Sequence, residues 1–187
     1  MTDDAAQRTQ PFPLAQGREK GYDRETVDEF LAQARGAFES GTSALDARAV
    51  REVAFPLRRG GYQIAAVDAA LGRIEDAFAA RERERAIASV GAEAWVARAR
   101  EEAQVILDRM NRPRGERFDR VGPLAYGYAR EEVDIVTDRL TRYFEAGESL
   151  TVEQVRAAAF RSARGGYREE QVDALLDAVV DVMLAVR

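Results

Sequence analysis

The chain has 187 residues, 46% of them hydrophobic, so it is long and apolar enough for a packed core and too apolar for global disorder. It contains no cysteine and no histidine, which excludes disulfides, thiolate metal sites and the commonest general base. A net charge of −5, from 33 acidic and 28 basic residues, argues against a nucleic-acid binder.

Residues 1–10 are polar, with no apolar signal-peptide core. No run approaches the roughly 18–20 apolar residues that span a bilayer. The expected location is cytoplasmic, with 1–11 as a disordered lead. Long runs rich in Ala, Arg, Glu, Leu and Val, broken by only five prolines, predict an all-α fold. Val27, Phe30, Leu31, Ala34 and Phe38 recur at helical spacing and predict a first helix, stopped at Ser40-Gly41-Thr42-Ser43. Asp46 is the expected cap of a second helix carrying Ala49, Val50, Val53 and Ala54 and ending near Gly60-Gly61. A third helix follows Tyr62, with Val67, Leu71, Ile74 and Phe78 inward, and continues through the charged run 81–85 as a solvated face.

Gly91 is a break. Residues 92–111 then predict a helix with Trp95, Ala99, Ala103, Ile106, Leu107 and Met110 apolar, ended by a loop at 111–115. From 116 the plan recurs. Val133, Val136, Leu140 and Phe144 mirror the first helix, and Thr151 with Gln154 forms a capping-box pattern. The last helix carries Val172, Leu176, Val179, Met183 and Val186. The expected organisation is a lead (1–11), a first helical unit (12–90), a connecting helix and loop (91–115) and a second helical unit (116–187); the Trp95 helix has no counterpart after the second unit and reads as a connector or an added packing element.

Each unit contains the same motif twice. Gly21-Tyr22 is followed by Val27-Asp28, Gly61-Tyr62 by Val67-Asp68, Gly127-Tyr128 by Val133-Asp134, and Gly166-Tyr167 by Val172-Asp173. Tyr128 follows Tyr22 by 106 residues and Tyr167 follows Tyr62 by 105, which predicts tandem duplication of a two-copy unit. The motif reads as a helix start. With Asp23 as N-cap, Tyr22 and Val27 take the two positions of a hydrophobic staple. Gln63, Ala129 and Arg168 are poorer caps. Glu132 and Gln171 stand at the third helical position, from which they are expected to reach back to a backbone N–H. Asp28, Asp68, Asp134 and Asp173 lie early in their helices, near the positive dipole end. Loop arginines Arg18, Arg58, Arg59 and Arg164 are their candidate partners, with a partner protein as the alternative.

The segment Gly21-Tyr22-Asp23-Arg24-Glu25-Thr26-Val27-Asp28-Glu29-Phe30-Leu31 resembles the N-terminal segment of DivIVA, the bacterial division and polar-growth scaffold. The paired arrangement is similar to the DivIVA-domain repeat proteins of actinobacteria, from Phe12 onward. A chain whose only lysine is Lys20 is compatible with such a host. The resemblance implies a non-enzymatic scaffold in cell division or polar growth, at the septum or pole. DivIVA continues into a long coiled coil; this chain has no sustained heptad run. The family also places an aromatic and a basic residue before Gly-Tyr, where this chain has Glu19-Lys20, Arg59-Gly60, Ala125-Tyr126 and Arg164-Gly165. The resemblance therefore supports a scaffold role rather than insertion into a membrane.

Three further features are candidates for interaction. Arg112, Arg114 and Arg117 form a basic cluster with Arg109 and Arg120 around Pro113, which reads as a solvated linker or as an anionic-lipid surface. Trp95 reads as a buried seam or a self-association surface. Asp173, Asp177 and Asp181 share one face of the last helix and read as a solvated stripe. There is no P-loop pattern and no glycine-rich phosphate cradle. No catalytic residue, cofactor, metal or small-molecule substrate is expected. The expected partner is a protein or a second copy, with a peripheral membrane adaptor as the alternative.

Overall fold

The computed structural model describes residues 11–41 and 45–186. Residues 1–10 of the expected lead, and Thr42 and Ser43 of the expected helix stop, lie outside the described residues. The described chain is dominated by seven helices, but it also holds two small two-stranded antiparallel sheets, which corrects the all-α expectation. It divides into two compact units, 1–83 and 84–187.

In the first unit, β1 (Lys20–Tyr22) leads into α1 (Arg24–Ser40). The Asp23 carboxylate caps α1 by accepting from the Thr26 N–H at 3.2 Å. Gly41 ends the helix in the left-handed conformation, at φ 71°. Next comes α2 (Ala47–Glu52), capped by Asp46, which accepts from the Ala49 N–H at 2.7 Å. It is shorter than the apolar pattern predicts, because Val53 is already extended. Pro56 explains the early stop. A helical proline there would push its ring into the carbonyl of Glu52 and has no N–H to donate. The chain instead forms β2 (Leu57–Arg59), which pairs antiparallel with β1 in the register Lys20↔Arg59, Gly21↔Arg58, Tyr22↔Leu57. The next helix is α3 (Ile64–Val90). Ala34, Ala37, Leu45, Ala47, Val50 and Phe78 join α1, α2 and α3 in one apolar core. A buried ion pair, Arg51 to Glu75 at 2.7 Å, ties α2 to α3.

The second unit begins with the last turns of α3 and α4 (Ala92–Met110). It continues through β3 (Tyr126–Tyr128), α5 (Arg130–Ala146), α6 (Val152–Arg156), β4 (Ser162–Arg164) and α7 (Glu169–Ala185). From β3 onward the order strand, helix, short helix, strand, helix is that of the first unit. β3 pairs antiparallel with β4. Ala129 and Arg168 make no side-chain cap bond, while Thr151 and Gln154 form the capping box. α4, expected as a connector or an added packing element, packs against α5 and α7 within this unit. α7 buries Leu175 and Val180 where the sequence pattern placed Leu176, and Val186 is exposed just past the helix end. The contact with α4 widens the buried stripe of α7 beyond the one-sided face read from spacing. Among the described residues no helix is long and apolar enough to cross a membrane.

Candidate interaction surfaces

The Gly-Tyr motifs meet in pairs. In the first unit Gly21 and Gly61 lie backbone against backbone. A Cβ on Gly21 would stand 2.1 Å from the Tyr62 carbonyl oxygen, and one on Gly61 2.4 Å from that of Tyr22. Only glycine permits this approach. It allows Tyr22 N–H to donate to Tyr62 C=O at 2.9 Å and Tyr62 N–H to donate to Tyr22 C=O at 2.8 Å. The two side chains then cross. The Tyr62 hydroxyl donates to the Asp28 carboxylate at 3.2 Å, and the Tyr22 hydroxyl faces the Asp68 carboxylate. Each copy's tyrosine holds the other copy's aspartate.

The second unit repeats this clasp. Cβ atoms on Gly127 and Gly166 would fall 2.2 and 2.4 Å from the carbonyl oxygens of Tyr167 and Tyr128. The tyrosines exchange backbone bonds of 3.0 and 2.9 Å. Tyr167 donates to Asp134 at 3.1 Å, and Tyr128 to Asp173 at 3.5 Å. Val27, Val67, Val133 and Val172 are buried beneath the two clasps. Phe12 packs edge-on against Tyr62 and Phe118 against Tyr167, with centroids 5.3 and 5.2 Å apart.

Sequence reasoning placed each tyrosine on its own helix and missed the cross-copy bonds. The available signal was the doubled glycine at Gly60-Gly61 and Gly165-Gly166, since a helix end needs only one. Glu132 and Gln171 also reach across rather than back. Glu132 accepts from the Arg161 N–H and guanidinium, and the Gln171 amide exchanges two bonds with Asp119.

Burial, reinforced by the facing carboxylate, pushes all four clasp tyrosines above their ordinary ionisation range. A pKa raised by folding gives stability that is complete below the unfolded value, about 10, and lost as pH climbs through the folded value. Ultraviolet titration should therefore show these tyrosines ionising above about pH 10, together with alkaline unfolding. An alkaline transition left unmoved by Tyr62→Phe with Tyr167→Phe would contradict this coupling.

Of the arginine cluster only Arg117 is drawn inward, while Arg112, Arg114 and Arg120 are exposed. Arg117 is 6% exposed. It donates to the Asp134 carbonyl at 2.9 Å, lies 3.6 Å from the Asp134 carboxylate and pairs with Asp138. The Gly115 N–H donates to Asp134 at 2.8 Å. The exposed Arg114 also pairs with Asp138. Asp134 thus takes its arginine from the loop before the motif. The loop arginines proposed from sequence are engaged differently: Arg58 pairs with Asp23, and Arg164 lies over the Tyr126 ring at 5.6 Å. Trp95 is half-buried, its indole N–H donating to the Ala185 carbonyl at 3.3 Å.

No family model, curated protein or solved structure matches this chain.

Within this geometry the motif residues act mainly on one another. Apolar side chains that remain outward include Phe38 on α1, Ile135 on α5, and Leu124 and Tyr126 beside the second clasp.

Proposed function

We propose that the chain is a non-enzymatic scaffold or interaction protein related to the DivIVA domain. It acts in bacterial cell division or polar growth by packing helix faces onto a protein partner. In this reading the chain is a tandem duplication, and each unit is two Gly-Tyr repeats closed into one body. The observation that carries the reading is the reciprocal clasp. Two copies of the DivIVA-like segment fold onto each other through Gly21, Tyr22, Gly61 and Tyr62, so the motif serves as architecture and leaves the helix faces for binding. Arg117 is buried against Asp134 and Asp138, and the exposed Arg114 is paired with Asp138, which lowers the charge left for anionic lipid and favours a protein partner. The test is a fluorescent fusion imaged in the native host. Enrichment at the septum or pole is expected; diffuse signal throughout the division cycle would sink the proposal.

A further inference from the structure

In the first unit α1 and α3 leave an apolar groove of about 390 Å³. Ala34, Ala70 and Phe78 form its buried floor, and Leu31, Phe38 and Ile74 its walls. Phe38 is 41% exposed and Ala77 is exposed, so this apolar surface faces solvent.

The second unit shows how the equivalent groove is filled. There α4 packs against both α5 and α7. Ala99, Ile106 and Met110, on one face of α4, are 6%, 6% and 0% exposed, and Trp95 on the same face bonds to the Ala185 carbonyl of α7. The equivalence follows from the repeat register. Ala34 corresponds to Leu140, which is 1% exposed, and the exposed Ala77 corresponds to Val182, which is 3% exposed. The rims differ in charge. The first groove is edged by the exposed Arg35 and Arg73, where the second has Thr141 and Ala178.

We propose that the α1–α3 groove is the docking site for an amphipathic helix of a partner protein. The partner helix carries small and medium apolar residues at the spacing of the α4 seam, flanked by carboxylates that meet Arg35 and Arg73. Helix-in-groove recognition reads such a seam through anchors three, four and seven residues apart. The opposite charge on the rim favours encounter with an acidic helix and discriminates against a basic one. The inference deepens the interaction reading above and rests on it.

Two 19-residue peptides test it: the sequence of Ala92–Met110, and the same sequence with Arg98→Glu and Arg100→Glu on either side of the seam. Each is titrated into the isotopically labelled full chain and followed by NMR. Saturable shifts centred on Leu31, Phe38, Ile74 and Ala77 are expected, with the acidic peptide binding several-fold more tightly at low salt. Ala77→Arg, folded by circular dichroism, should abolish the shifts. Arg35→Gln with Arg73→Gln should remove the preference for the acidic peptide. The proposal is overturned if neither peptide shifts the groove signals at millimolar concentration, or if the shifts centre on α5 and α7 because the peptide exchanges with the resident helix. A dimer of the chain abolished by Ala77→Arg would also overturn it, with a second copy as occupant. Failure of the peptides alongside normal septal or polar localisation would reject the groove and leave the scaffold proposal standing.

Discussion

Gly21→Ala is expected to destabilise the first unit by more than about 4 kcal/mol, in the far tail of single substitutions. The added methyl carbon would stand 2.1 Å from the Tyr62 carbonyl oxygen and 2.8 Å from the Gly61 carbonyl carbon. Both are backbone atoms, so no rotamer change relieves the overlap. The strands must separate, which breaks the reciprocal Tyr22–Tyr62 bonds and withdraws the Tyr62 hydroxyl from Asp28. Each bond contributes about 1 kcal/mol net, and leaving its buried groups without partners adds about 1–3 kcal/mol more. The control is Gly36→Ala. That position lies inside α1, is exposed, and has nothing within 4 Å of an added Cβ. Replacing a helical glycine there should stabilise by about 0.5–1 kcal/mol. Denaturant titration of both variants measures the difference. Equal, small effects would mean that the glycine pair is not what closes the unit.

The second large effect is at Arg117. Arg117→Met should cost about 3–5 kcal/mol, the usual result of removing one partner from a buried ion pair. The variant leaves Asp134, 4% exposed, without a guanidinium and half-buried Asp138 with that of Arg114 alone. A pH signature distinguishes this from lost packing. Burial by itself would raise the Asp138 pKa, but the guanidiniums of Arg117 and Arg114 outweigh it and hold the carboxyl below its ordinary range. A pKa lowered by folding gives stability that is complete above the unfolded value, near 3.9, and lost as pH falls through the folded value. The gap between wild type and Arg117→Met should therefore be full at neutral pH and narrow below about pH 4. A gap that stays constant across that range would assign the effect to packing alone.

Much of the helical plan is visible in the chain itself. Helix existence follows from apolar spacing in α1, α3, α4 and α5, and several helix ends follow from local chemistry: the Asp23 cap and Gly41 for α1, the Asp46 cap for α2 and the Thr151–Gln154 box for α6. These signals are legible because each lies within a few residues of what it controls. The early end of α2 was also within reach, since Pro56 forbids the helix that the apolar residues continue to suggest.

What the linear chain could not decide are the partners separated by tens of residues. The four three-residue strands have no propensity of their own. They pair two by two across tens of residues, beside the points where Gly21 meets Gly61 and Gly127 meets Gly166 backbone to backbone. The sequence by itself determined that Gly-Tyr opens four helices, that valine follows at a fixed distance, and that α4 has one apolar face. Only the tertiary structure decided that each tyrosine serves the aspartate of the other copy, that Arg117 goes to Asp134, and that α4 rests on α5 and α7 while the α1–α3 groove faces solvent. The physical reason is range: caps and staples act within one helical turn, whereas burial and hydrogen-bond exchange depend on which surfaces meet when the chain closes.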